Sequence, residues 1–231
     1  TTFVIGAALV LFGLLSLSCS GTSLLLGIDV LGFVWRLWPL IVLALGLTFM
    51  AAPLLARTKR GLGALFIPGM LVLSIGGMLL FASIFDAWGV WATLWPLLLI
   101  SLATGFAFAA AYMRVSGLLI PAVIIGLNGL AFQFSSLTGL WSWWSVLWTI
   151  EPLSVGVALV AVGVLSRNSG IVTAGLIVSG IAIAGFLLMV SVLGDWWPLR
   201  LVGPLFIILA GAALLGWSAL RGKILPRSVL E

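Results

Sequence analysis

The sequence predicts an all-α integral membrane protein: eight transmembrane helices arranged as four repeated helical hairpins. Composition is the first reason. Hydrophobic residues make up 64% of the 231 residues and charged ones 6%, with a mean hydropathy of +1.40, so polar side chains are too few to coat a water-soluble domain of this size. The apolar stretches are also continuous, whereas strands of a membrane barrel alternate apolar and polar residues. Finally, a pattern recurs four times: a Trp-rich segment, a proline followed by leucine, a long apolar run and an arginine. The prolines are Pro39, Pro96, Pro152 and Pro204, and the arginines Arg57, Arg114, Arg167 and Arg221. Successive copies lie about fifty to sixty residues apart, the length of two membrane-crossing helices with their loops.

The expected spans are about 2–18, 37–56, 62–83, 94–113, 116–134, 149–165, 170–190 and 201–219, each near the twenty residues that a hydrocarbon core requires. The first ends in Leu17-Ser18-Cys19-Ser20, which has the form of a lipoprotein signal, but no basic residue opens it and a retained helix is expected. The second and fourth open on the same tetrapeptide, Leu37-Trp38-Pro39-Leu40 and Leu94-Trp95-Pro96-Leu97. The sixth and eighth keep only Pro-Leu, in Glu151-Pro152-Leu153 and Gly203-Pro204-Leu205. Proline costs little in the first turn of a helix, where its missing N–H would have no partner, so each of these prolines is expected to start a descending span. The third and fifth spans echo each other: Ile67-Pro68, Gly76 and Phe81 match Ile120-Pro121, Gly129 and Phe134 at one offset. The whole chain, 1–231, is one transmembrane domain on this reading, with repeats at about 1–58, 59–115, 116–167 and 168–222 and a short tail at 223–231. Glycines spaced by seven (Gly6 and Gly13, Gly69 and Gly76, Gly156 and Gly163) share a helix face and are expected to let neighbouring backbones approach.

Charge sets the expected orientation. Arg57, Lys59, Arg60, Arg114, Arg167, Arg221, Lys223 and Arg227 follow even-numbered spans, while only Arg36 and Arg200 follow odd-numbered ones. The positive-inside bias places both termini and the even-numbered connections of this multi-pass chain in the cytoplasm. The opposite face holds Asp29, Asp86 and Asp195 and eleven of the twelve tryptophans, an aromatic belt at headgroup level.

The phrases LWPLIVLALGLTFM at 37–50 and LWPLLLISLATGFAF at 94–108, each preceded by a short Asp- and Trp-containing loop and a Gly-rich apolar helix, resemble the membrane region of the LiaI/LiaF-like bacterial envelope proteins. The resemblance implies a small membrane anchor or regulator in envelope stress, acting with a peripheral partner or an added soluble domain. It transfers no functional residues.

Several chemistries are excluded by residue type. The chain has no histidine, which removes Ser-His proteases, His-based metal sites and imidazole-held haem. Cys19 is the single cysteine and has no internal disulfide partner. Gly194-Asp195 has the form of an intramembrane aspartic-protease pair, but no second aspartate sits within a span, and phosphate-cradling loops are absent. No enzyme, cofactor or metal is expected. The ten basic residues form no stripe that would follow phosphates, so nucleic acid is not an expected partner; the lipid bilayer and other membrane or peripheral proteins are.

Glu151 stands out as an acid at the outer end of a span, and Arg200 and Arg36 lie at similar depths in other copies; together they are the candidate polar or ion-pair site. Asn128 and Gln133, within the fifth span, are expected to make interhelical hydrogen bonds. Two functions follow. The first is a non-enzymatic scaffold, anchor or accessory subunit that organises partner proteins. The alternative is a small transporter or channel built from parallel hairpin repeats, which needs polar groups at the bilayer midplane, where this sequence reads Leu, Ile, Val, Ala and Gly.

Overall fold

The computed structural model describes residues 2–26, 30–56, 59–193 and 197–224. Among the described residues every regular element is helical. The α-helices are α1 (Thr2–Leu26), α2 (Val30–Arg36), α3 (Leu40–Leu55), α4 (Phe66–Phe85), α5 (Val90–Leu94), α6 (Leu97–Met113), α7 (Leu119–Thr138), α8 (Trp144–Leu147), α9 (Ile150–Leu165), α10 (Ser169–Leu193) and α11 (Trp197–Ile224). Short 3-10 turns at Arg60–Leu65, Ser116–Leu118 and Trp141–Trp143 lead into α4, α7 and α8.

Contacts divide the chain into two units, Thr1–Met113 and Arg114–Glu231. In the first, α4 lies between α3 and α6, and α1 meets α2. In the second, α7, α9, α10 and α11 pack as a row in that order. The faces turned away from these contacts are apolar: Leu17, Ile41, Leu55, Ile181, Val192 and Leu215 are all more than two-thirds exposed. Water would penalise such a surface heavily, and hydrocarbon does not.

The helices fall on the expected apolar segments, but they do not amount to eight full spans. Among the described residues four helices are long and apolar enough to cross a membrane: Gly32–Leu55, Arg60–Phe85, Ser116–Thr138 and Ser169–Leu193. A fifth candidate is the pair Trp141–Leu147 and Ile150–Leu165, bent by 52° at its break. Ile5–Ser18, Leu97–Met113 and Gly203–Ala213 are shorter apolar helices. The run expected over 94–113 carries the 17-residue α6, which starts only after Pro96 and its missing N–H.

Pro204 needs correction. Pro39 caps α3, Pro96 immediately precedes α6 and Pro152 lies in the first turn of α9, but Pro204 sits inside α11. The proline in the first turn of α11 is Pro198, in Trp197-Pro198-Leu199, which carries the same Trp-Pro-Leu as Pro39 and Pro96.

Glycine sets the closest approaches. A Cβ on Gly46 would fall 2.8 Å from the Leu73 backbone N, and one on Gly76 3.0 Å from that of Leu43, so α3 and α4 interlock reciprocally. Between α9 and α10 a Cβ on Gly156 would run into Ser179 Oγ, and one on Gly175 would lie 2.7 Å from the Gly156 carbonyl. Gly163 continues that seam against Val172. In α1, by contrast, no described atom comes within 4 Å of a Cβ on Gly6 or Gly13. Two of the three glycine pairs thus mark helix crossings.

Candidate functional site

The polar residues singled out in the second unit meet between α7 and α9. Asn128, 8% exposed, lies midway along α7, and its Nδ2 donates to the Ile124 carbonyl at 3.0 Å and to Glu151 Oε2 at 3.2 Å. Glu151 is an exposed residue in the first turn of α9, where the helix dipole favours a carboxylate. Ser154 Oγ donates to the Glu151 carbonyl at 2.7 Å. Asn128 Oδ1 is buried without a hydrogen-bond partner, and so is Oγ of Ser135, two turns further along α7. The site therefore holds one carboxylate, one amide and spare acceptor capacity. It can clamp α7 to α9 or bind a small donor.

The two arginines are placed differently. Arg36, at the end of α2 in the first unit, directs Nη1 towards the Ile84 carbonyl at 3.5 Å, while its own carbonyl accepts from Ser83 Oγ at 2.8 Å. Arg200, in α11, uses its carbonyl to accept from Ser191 Oγ at 2.6 Å. The partner found for Glu151 is Asn128. Of the other residues marked in the sequence, Asp29, Arg57 and Asp195 lie outside the described residues. Asp86 ends α4 in the left-handed conformation, φ 52°.

Some contributors were not anticipated. Ser191 answers a backbone defect, because Pro204 has no N–H for the carbonyl four residues before it, which is that of Arg200. Ser83 answers a similar one: Leu40 N–H bonds the Leu37 carbonyl, Pro39 has no N–H, and the Arg36 carbonyl turns to the serine. A serine one helix away from a proline is the signal, visible only once the pairing of helices is known. Tyr112, the one tyrosine of the chain, donates its hydroxyl to the Pro53 carbonyl in the last turn of α3, where carbonyls lack intrahelical donors.

The surroundings are aromatic and apolar. Phe132 stacks on Trp144 with ring centroids 4.8 Å apart and planes 13° from parallel. Within this second unit Trp141, Trp143 and Trp148 are exposed. A cavity of about 170 Å³ opens between α9 and α10, lined by Leu147, Thr149, Ile150, Leu153, Ala182 and Phe186 among others. Comparison with family models, characterised proteins and solved structures finds no match.

Proposed function

We propose that this protein is a non-enzymatic integral membrane scaffold, an anchor or accessory subunit that organises partner proteins in the bacterial cytoplasmic membrane. The observation that carries this reading is how the helices close on one another. Glycines bring α3 to α4 and α9 to α10 at backbone contact, leaving little width for water along those seams. Helix association in lipid rests on such packing, and a hydrated route would need a continuous line of polar groups.

Eight spans in four hairpin repeats, with both termini in the cytoplasm, complete the proposal. In its support, α4 and α7 have 20 residues each, and each is followed by a broken Trp-bearing segment and a helix of 17 or 16 residues with a proline just before it or in its first turn. Both descending helices end at an arginine with positive φ, Arg114 at 59° and Arg167 at 52°. The resemblance to LiaI/LiaF-like proteins implies a part in envelope stress for such a scaffold.

Purification from native membranes in mild detergent is the test, with a stoichiometric protein partner as the expected result. Reconstituted liposomes should show no ion or solute flux above empty vesicles. A second reading, a small transporter, is favoured by one observation, the spare Asn128 Oδ1 beside Glu151. A flux that Glu151→Gln abolishes would replace the scaffold with the transporter.

A further inference from the structure

We propose that the first unit binds an anionic phospholipid, its acyl chain in a groove between the ends of α3 and α6 and its phosphate against Lys59 and Arg60. The groove, about 460 Å³, is lined by Met50, Leu54, Phe66, Phe108, Ala111 and Tyr112 and presents no polar surface. Phe66, 5% exposed, forms its floor, with its ring 5.5 Å from that of Tyr112 and 6.1 Å from that of Phe108. Tyr112 has the only polar side-chain atom of an otherwise hydrocarbon or thioether lining. That hydroxyl is committed to the Pro53 carbonyl, so what the residue offers the groove is its ring. Leu54, Phe108 and Ala111 are exposed at the rim, as an entry from the lipid side requires.

Charge selects the headgroup. Lys59 and Arg60 are exposed and open the 3-10 turn that packs on this end of α6: a Cβ on its Gly63 would meet Tyr112 and Met113 at 2.8 and 2.7 Å. The sequence from 30 to 85 contains no acidic residue to compete for these cations. An apolar groove at the end of α6, with two cations on the turn that packs on that end, matches a hydrocarbon tail with a phosphate above it.

The inference rests on the membrane reading, and its test separates the two. The full-length protein, delipidated in detergent, is titrated with phosphatidylglycerol or with phosphatidylcholine of the same acyl chains, and bound lipid is counted by native mass spectrometry. Phosphatidylglycerol should bind about tenfold more tightly, given two cations near the phosphate. The double variant Lys59→Gln/Arg60→Gln should bring the two lipids to parity without moving the lipid-free melting temperature. Ala111→Phe, at the exposed rim, should weaken binding of both. Equal binding by the wild type, a preference that survives the double variant, or undiminished binding by Ala111→Phe would each overturn the site. Carbonate washing of native membranes is the control: release of the chain refutes the membrane reading itself, whereas retention without lipid preference refutes only the site.

Discussion

Ser191 does for Pro204 what the helix cannot. The Arg200 carbonyl would be an unpaired acceptor in an apolar setting, and Ser191 Oγ supplies the missing donor from the neighbouring helix. Ser191→Ala should therefore cost about 0.6 kcal/mol, the usual worth of an interhelical hydrogen bond in a membrane protein, read as a lower melting temperature in detergent. In a Pro204→Ala background the carbonyl regains an N–H, and the same serine substitution should then cost nothing; equal losses in both backgrounds would refute the role. Asp86 offers a second residue-scale case. Its φ of 52° is strained for a side chain and free for glycine, so Asp86→Gly should stabilise by about 0.5 kcal/mol, whereas Asp86→Val should destabilise. That Asn128 would bond across helices was legible from its type and its place in an apolar run. That Glu151 would be its partner was not, because the two are joined only by the way α7 lies on α9.

Helices here are separated by punctuation that the sequence displays and by contacts that it does not. Asn168 accepts from the N–H groups of Gly170 and Ile171 and so caps α10, a start that its residue type permits. The glycines seven apart on α9 do mark a crossing, since Gly156 and Gly163 both abut α10, yet the same spacing on α1 marks none among the described residues. Spacing identifies a face, and only a neighbour makes that face an interface. Gly156→Ala should accordingly destabilise by about 1–3 kcal/mol, because the added methyl meets Ser179 and the backbone of α10, where the helices have no room to give. Gly13→Ala, with open space around it, should be neutral or slightly stabilising through helix propensity. Thermal melts of the two variants side by side check both; similar losses would show that packing is not what distinguishes them.

At the scale of the whole molecule the charge pattern makes the testable statement. If basic ends face the cytoplasm, cysteines placed at Asp86 and at Ser142, in a protein whose Cys19 has been replaced, should react with an impermeant thiol reagent added outside intact cells, and one at Lys59 should react only after lysis. The reverse pattern would invert the topology and put the proposed lipid site on the outer leaflet.

Composition by itself determined that the chain is helical and apolar, because no arrangement of 64% hydrophobic residues with 6% charged ones suits water. It also located the helices, since continuous apolar runs bounded by proline, glycine and arginine leave little freedom about where each begins. Tertiary structure decided the rest. Among the described residues, helix length separated four helices long enough to cross a membrane from a bent pair and three shorter helices. The pairings Asn128 with Glu151, Ser191 with Arg200 and Tyr112 with Pro53 were likewise decided there: a polar group in an apolar setting must find a partner, and which one it finds depends on which helix lies beside it.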